Sequence, residues 1–204
     1  MATFWDERYA VEGYIFGTAP NVFLTSQAAR LHAGQSALAV ADGEGRNGVW
    51  LAQQGLQVLS VDSSGVAQVK ARKLAAERGV TLQFETADLL AWDWGDARFD
   101  VIVAIFIQFA DPAGRACQFK GIRRALKPGG LLLLQGYTPR QLEYKTGGPS
   151  ALENLYTEPM LREWFGDWDI QHLCEHDEVI NEGSHHSGMS ALIDLVAYKP
   201  ATGS

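Results

Sequence analysis

The stretch AVADGEGRNGVWLA, residues 39–52, decides the fold class of this chain. Its centre is a glycine-rich turn, residues 43–48, with an apolar run before it and helix-like spacing after it as far as Gln54. A strand, a glycine turn and a helix in this order let backbone amides approach a nucleotide-like cofactor closely. The literal G-x-G-x-x-G pattern is typical of NAD-binding turns, so this motif taken alone suggests an NAD-dependent reductase.

The alternation of strand and helix continues on both sides of this turn. Strands that alternate with helices pair in parallel through right-handed crossovers, which predicts an α/β fold with a doubly wound sheet. Between the last predicted helix and strand of this region, the sequence Lys-Pro-Gly-Gly at 127–130 predicts a turn. The predicted strands cover residues 36–41, 57–61, 82–86, 100–107 and 131–135, and the predicted helices cover 21–32, a segment ending at 54, a segment capped by 62–64 and ending at 78, and 112–126.

The last third of the chain departs from this alternation. Residues 137–158 contain Gly-Gly-Pro at 147–149 and little periodicity, so we interpret them as an excursion on the substrate side of the sheet. A short helix with Thr157 as its cap should reach Phe165. Residues 169–179 and 191–198 are β-rich with no room for a crossover helix between them, which predicts an antiparallel pair. We therefore expect one domain over residues 1–204, with a mostly parallel, seven-stranded sheet and a C-terminal antiparallel hairpin.

Composition narrows the classes of partner. The chain has 204 residues, 47% of them hydrophobic, and a net charge of −7 without a basic stripe, so nucleic acid is not an expected partner. Its two cysteines, Cys117 and Cys174, lie far apart, and they predict neither a disulfide framework nor a thiolate zinc site. The start of the chain does not resemble a leader, and no apolar run is long enough to span a bilayer. We expect a cytoplasmic protein without a membrane partner, and the sequence leaves its oligomeric state open.

Polar side chains follow the predicted strands at the edge where open α/β sheets bind ligands. Asp62 ends the second strand 19 residues after Gly43, where a carboxylate can accept both hydroxyls of a ribose. Asp88 and Leu89 follow the third strand and suit an adenine, and Ala104 lies near the end of the long apolar strand. NAD and S-adenosylmethionine share the ribose and the adenine. A structural interpretation of both aspartates as helix caps stays open.

These features in this order resemble the class I S-adenosylmethionine-dependent methyltransferases. Residues 43–47, 5–9, 16–21 and 147–149 are similar, more narrowly, to the tellurite-resistance methyltransferases and their thiopurine methyltransferase relatives. The resemblance implies S-adenosylmethionine as cofactor and a small-molecule methyl acceptor such as a thiol or a metalloid oxyanion. The candidate cofactor-binding residues are Tyr9, Gly43, Gly45, Asp62, Ser63, Asp88, Leu89 and Ala104.

Two positions depart from the pattern of this family. Its members usually carry an acidic residue four positions before Gly43 and a glycine two positions before it, where this chain has Ala39 and Ala41. Asp42 or Glu44 is a candidate substitute for the missing acid. A non-catalytic S-adenosylmethionine-binding protein therefore stays an alternative hypothesis.

The first twenty residues predict a lid over the cofactor. Aromatic faces attract a sulfonium, and Trp5, Tyr9, Tyr14 and Phe16 are concentrated in this segment. Simple packing of these rings onto the sheet is the alternative interpretation. The candidate residues for acceptor binding are Arg8, Tyr14, Arg140 and His185.

The arginines would suit an anionic acceptor, whereas a thiol would lose its proton to His185 or to water. Arg8 paired with a neighbouring glutamate and Arg140 as a solvated loop residue are the structural alternatives. No catalytic base is assigned. An NAD-dependent reductase would use a pair such as Tyr-x-x-x-Lys, and no tyrosine here has a lysine four residues on. Histidines crowd the C-terminal third, but their spacing does not predict a metal site.

Overall fold

The computed structural model describes residues 4–183 and 186–201, with His186 described by its backbone alone. Seven strands form one sheet in the order β3-β2-β1-β4-β5-β7-β6. Strands β1 to β5 run parallel to one another, and β7 is antiparallel to both β5 and β6, which confirms the predicted α/β fold. The strands are β1 (Ser36–Val40), β2 (Gln57–Asp62), β3 (Gln83–Thr86), β4 (Phe99–Ile105), β5 (Leu126–Tyr137), β6 (Asp169–Glu182) and β7 (His186–Tyr198).

Four of the helices begin where the sequence provides a capping side chain. Asn21, Ser64, Asp111 and Thr157 each accept a hydrogen bond from a backbone N–H of the first turn that follows. The helices are α1 (Phe4–Tyr9), α2 (Val22–Ser26), α3 (Arg46–Gln53), α4 (Gly65–Glu77), α5 (Pro112–Ala125), α6 (Gln141–Tyr144) and α7 (Glu158–Phe165), with 3₁₀ turns at Ala28–Arg30 and Leu152–Asn154.

Two predictions about these elements are wrong. The helix predicted over 21–32 stops at Ser26, where hydroxyls of Thr25 and Ser26 donate to backbone carbonyls and compete with the helix. The turn predicted at 127–130 is part of β5. Gly129 N donates to Lys199 O at 2.8 Å and Lys199 N donates to Gly130 O at 2.9 Å, so pairing with a distant segment extends the strand.

The core lies on both faces of the sheet. Leu38 of β1 packs on one face with Phe119 of α5 and Phe165 of α7. Ala39 packs on the other face, with Leu24 of α2 and Leu51 of α3. Because both faces are covered, the central strands β1 and β4 are largely apolar, with Ser36 and Asp100 as their polar residues. None of the described helices is long and apolar enough to cross a membrane.

Candidate functional site

A cleft of about 500 Å³ opens at the carboxyl ends of β1, β2, β3 and β4. Ligands of open α/β sheets bind at this edge. The N-terminal segment, residues 4–20, contributes to its wall. The lining residues are Trp5, Tyr9, Phe16, Gly17, Ala41, Asp42, Gly43, Glu44, Arg46, Asn47, Asp62, Ser63, Thr86, Ala87, Asp88, Leu89, Leu90, Ile105, Phe106 and Phe109.

The backbone is left-handed at three positions in or just before the glycine turn. Ala41, Gly43 and Gly45 have φ angles of 49°, 57° and 88°. Gly43 lies under the Tyr9 hydroxyl, which would be 2.7 Å from a Cβ added there. Ala41 therefore adopts a conformation that is costly for a residue with a Cβ, at the position where the related family carries glycine.

Two other glycines of the motif have packing roles. A Cβ at Gly45 would be 2.7 Å from the Cβ of Ala71, so this glycine lets α4 pack against the turn, and it does not line the cleft. A Cβ at Gly48 would collide with the carboxylate of Asp42. The last glycine of the G-x-G-x-x-G pattern thus makes room for a buried side chain.

Asp42 orders the turn from inside. Its Oδ1 accepts from Gly48 N at 3.0 Å, and its Oδ2 accepts from Ser60 Oγ at 2.7 Å. Burial raises the pKa of Asp42 from 3.8 to about 7, although these two hydrogen bonds lower it. An acidic side chain thus orders the turn from position 42, three residues after Ala39.

Asp62 holds the end of β2 to the turn. Its Oδ2 accepts from Gly43 N and its Oδ1 accepts from Ser64 N, both at 2.8 Å. Burial raises the pKa of Asp62, while the backbone hydrogen bonds favour its charged form. Each carboxylate oxygen can accept a second hydrogen bond, so Asp62 can still bind hydroxyl groups in the cleft.

The N-terminal segment is fastened to the turn by Glu44. This carboxylate is 3% exposed and accepts from Ile15 N at 2.8 Å and from Lys70 Nζ at 2.8 Å. On its other side, the segment contacts Gly183, which follows β6. A Cβ added to Gly183 would lie 2.6 Å from Phe16 Cα. The segment thus lies between α4, the turn and the β6–β7 hairpin.

The part of the cleft beside Phe106 and Phe109 is largely apolar. Asp88 is exposed and its Oδ1 accepts from Leu90 N at 3.0 Å, whereas the neighbouring Leu89 is buried. Phe106 has a φ of 55° and stacks on Tyr137 with ring centroids 4.7 Å apart. Phe109 lines the cleft and is 39% exposed. An apolar molecule can therefore enter beside Phe109.

Arg46 forms a buried ion pair at the start of α3. Its Nη2 donates to Glu182 Oε2 at 2.7 Å, and both side chains are nine-tenths buried. Asn47 does not cap α3, because its Oδ1 accepts from Asn21 N at 3.0 Å. The sequence carries no signal for the pairing of Arg46 and Glu182, which lie 136 residues apart.

The structure does not bring all predicted site residues to the cleft. Ala104 is fully buried within β4, and the Arg8 guanidinium lies 5.5 Å from the ring of Trp5 and outside the lining. Tyr14 donates to Lys70 O at 3.3 Å on α4. Arg140 is also elsewhere, with its Nη1 2.6 Å from Asp177 Oδ2.

His185 lies outside the described residues. Within the described ranges, 4–183 and 186–201, no group of three or more His, Cys, Asp or Glu residues is placed to hold a metal ion. The candidate function therefore depends on the side chains that line the cleft.

Comparison with known proteins relates part of the chain to a family of methyltransferases. Residues 37–130 match the family described as "Methyltransferase domain". No curated protein sequence matches the chain.

Many solved structures share its fold. A structure described as "Conversion of a Disulfide Bond into a Thioacetal Group during Echinomycin Biosynthesis" is 21% identical, with 98% of this chain and 92% of that chain covered and a TM-score of 0.78. An S-adenosylmethionine-dependent methyltransferase from Methanosarcina mazei is 18% identical over 90% of this chain and 100% of its own, with a TM-score of 0.72. TehB from Haemophilus influenzae is 16% identical over 96% of this chain and 66% of its own, with a TM-score of 0.71.

Part of the chain, residues 37–130, thus matches a methyltransferase domain, and the chain shares its fold with a solved S-adenosylmethionine-dependent methyltransferase. The cleft has two features that suit S-adenosylmethionine. Asp62 keeps free acceptor capacity for hydroxyls, and Arg46 presents a buried nitrogen, Nη1, without a partner among the described residues.

Proposed function

We propose that the cleft binds S-adenosylmethionine and that the enzyme methylates a small, largely apolar acceptor, with a thiol as the favoured class. Asp62 would hold the ribose, and Asp88 and Leu89 would hold the adenine. The N-terminal segment would act as a lid over the bound molecule. The observation that carries this proposal is a cleft of about 500 Å³ that is polar beside Asp62 and apolar beside Phe109.

The ribose assignment is supported by the rigidity of Asp62. Two backbone N–H groups, from Gly43 and Ser64, fix both carboxylate oxygens before any ligand binds. Hydroxyl groups that donate to this carboxylate would further favour its charged form. Preorganisation of this kind lowers the entropic cost of binding.

When bound, S-adenosylmethionine supplies a methyl group on a sulfonium, which a nucleophile displaces in line. The residues of the chain contribute positioning rather than acid–base chemistry. Tyr9 is not a base, because burial and the nearby carboxylates of Asp62 and Glu44 raise the pKa of its hydroxyl. The rings of Trp5, Tyr9 and Phe16 form a cluster at the cleft, where aromatic faces favour a cation.

The size and lining of the cleft favour a small acceptor. Cavities of roughly 300–1,000 Å³ take small molecules rather than a protein or nucleic-acid surface. Leu90, Ile105, Phe106 and Phe109 line the apolar part, which suits an acceptor with an apolar body.

A thiol suits this lining better than a metalloid oxyanion does. The described residues in the cleft wall include no histidine, lysine or cysteine, and thiols ionise near neutral pH without a dedicated base. An oxyanion would need several cations, but Arg46 is the one cation among the described residues of the cleft wall and is paired with Glu182, and Arg140 is held by Asp177. The description of one protein of the same fold concerns sulfur chemistry, the conversion of a disulfide bond into a thioacetal group.

A methyl-transfer screen tests the proposal. The chain is incubated with S-adenosylmethionine labelled in its methyl group and with aliphatic thiols, heterocyclic thiols, selenite or tellurite, and the labelled products are separated. We expect transfer to an apolar thiol and its loss in Asp62→Ala. Transfer to tellurite alone would refute the thiol assignment, and cofactor binding without any transfer would support a non-catalytic binding protein.

A further inference from the structure

Phe106 has a strained backbone conformation at the edge of the cleft. It follows directly after β4, and its side chain lines the cleft. Its φ of 55° lies in the left-handed region, which is costly for a residue with a Cβ. Strained residues of this kind persist only where the surrounding structure holds them, and they are concentrated at functional sites. The strain therefore indicates that the position of this ring matters for function.

Tyr137 supports the ring of Phe106. The two rings stack with centroids 4.7 Å apart and an angle of 22° between their planes. Phe106 N donates to Gln135 O at 2.8 Å, which fixes the backbone of Phe106 beside β5. Tyr137 is 1% exposed, so close packing leaves its ring little room to move away. A displacement of Tyr137 would therefore displace Phe106.

Gln108 holds the backbone of Tyr137. Gln108 Oε1 accepts from Tyr137 N at 2.6 Å, and Gln108 Nε2 donates to Tyr137 O at 2.9 Å. The same Nε2 donates to Asn154 O at 3.1 Å. One buried side chain thus connects the segment after β4, the end of β5 and the later part of the excursion, residues 137–158.

The Gly-Gly-Pro sequence of the excursion packs on the ring of Tyr137. A Cβ added to Gly148 would lie 2.7 Å from Tyr137 Cδ2, so this approach requires a residue without a side chain. Gln141 fastens this part of the excursion to β7, because its Nε2 donates to Gly147 O at 3.1 Å and its Oε1 accepts from Ala191 N at 2.8 Å. The glycines therefore allow the excursion to hold Tyr137 in place.

The position of Phe106 relative to Asp62 relates this ring to the methyl acceptor. The sheet order β3-β2-β1-β4 places the end of β4, and with it Phe106, two strands away from Asp62. With the ribose at Asp62, the apolar part of the cleft that Phe106 and Phe109 line is left for the acceptor. Because Phe106 is held by its neighbours, its ring forms a rigid wall of this space.

We propose that Phe106 limits the size of the acceptor and that Tyr137 fixes Phe106 in this position. A thiol with a narrow apolar body fits beside the ring. A wider body collides with Phe106, which cannot move back because Tyr137 is held by Gln108 and by the excursion. The inference rests on the proposed function, whose acceptors it restricts to narrow thiols.

Two thiols of different width test this role. Ethanethiol and cyclohexanethiol are both alkyl thiols of similar acidity, so they differ mainly in the body that has to fit. The test variants are Phe106→Ala, which removes the ring, and Tyr137→Leu, which removes its support. Tyr137→Phe keeps the stacked ring, and Leu152→Ala alters an exposed residue of the excursion that does not line the cleft. Values of kcat/KM are measured for both thiols, calorimetry gives the affinity for S-adenosylhomocysteine, and thermal melting checks that each variant folds.

We expect the ratio of kcat/KM for cyclohexanethiol to that for ethanethiol to rise about tenfold in Phe106→Ala and about threefold in Tyr137→Leu. The ratio in Tyr137→Phe and in Leu152→Ala should stay within about twofold of wild type, and the affinity of all variants for S-adenosylhomocysteine should stay within about threefold.

An unchanged ratio in Phe106→Ala, or an equal fall in kcat/KM for both thiols, would overturn the size limit and leave Phe106 a structural role. A rise in Phe106→Ala without one in a folded Tyr137→Leu would overturn the positioning role of Tyr137. If the wild type methylates neither these thiols nor those of the broader screen, the proposed function itself fails, and the inference fails with it.

Discussion

Replacing Asp42 with asparagine should remove a pH dependence of stability that the wild type shows between about pH 4 and pH 7. Asp42 is 8% exposed and is bonded to Gly48 N and Ser60 Oγ. No ion pair involving Asp42 occurs over residues 4–183 and 186–201, so its charge is buried without a directly bonded cation.

The sign of the effect follows from the raised pKa. Unfolded Asp42 loses its proton near pH 3.8, whereas in the fold its pKa is about 7. Between these values the folded state holds a proton that the unfolded state has released. The free energy of unfolding therefore falls as the pH rises through this window, and it is independent of this group below and above it.

The magnitude follows from the same two values. A shift of about three pKa units at 1.36 kcal/mol per unit corresponds to about 4 kcal/mol. The amide introduced by Asp42→Asn stays neutral and can still accept from Gly48 N and donate to Ser60 Oγ. The difference in free energy of unfolding between the variant and the wild type should thus move by about 4 kcal/mol in favour of the variant from pH 4 to pH 8.

Urea unfolding of both proteins at one-unit steps of pH measures this difference, since all other groups cancel. The control is Asp169→Asn, which alters an exposed carboxylate at the start of β6. Its pH profile should run parallel to that of the wild type. Parallel profiles for Asp42→Asn and wild type would refute the assignment of a buried, proton-binding Asp42.

Three further outcomes are expected. Asp62→Ala should weaken binding of S-adenosylhomocysteine by about 1.5 to 3 kcal/mol in calorimetry, and unchanged affinity would contradict the ribose assignment. Glu44→Gln should increase proteolytic cleavage within the N-terminal segment by roughly tenfold, because the Lys70 ion pair is lost; an unchanged digestion rate would show that Glu44 does not fasten this segment. Gly45→Ala should lower the free energy of unfolding by about 1 to 3 kcal/mol more than Gly34→Ala in thermal melting, since both glycines have similar φ angles but only Gly45 is crowded; equal losses would leave backbone strain as the sole cause.

The sequence predicted the parts of the fold that depend on local patterns. The apolar run before the glycine turn and the helical spacing after it became β1 and α3 because both patterns are short-range. The Pro and Gly residues of the segment 127–130 are typical of turns, so the local pattern predicts a turn there. Its extension of β5 depends on Lys199, which no local pattern could indicate.

The same distinction applies to the cleft. Asp62 and Asp88 could be placed at one edge from the sequence, because the carboxyl ends of parallel strands meet there. The pairing of Arg46 with Glu182 and the packing of Gly45 on Ala71 depend on tertiary contacts between separate segments. The charge of Arg140 suggested that it binds an acceptor. In the structure it pairs instead with Asp177 of β6, which no local pattern around Arg140 indicates.

The contact between Gly183 and the N-terminal segment has a consequence for the order of assembly during synthesis on the ribosome. Ile15 and Phe16 are synthesised well before Gly183, which contacts them from the side of the β6–β7 hairpin. The strands β1 to β4 can pair much earlier. We therefore expect that a nascent chain without Gly183 carries the ligand-binding edge of the sheet but not the complete wall of the cleft, so that ligand binding becomes efficient only after Gly183 has left the ribosome.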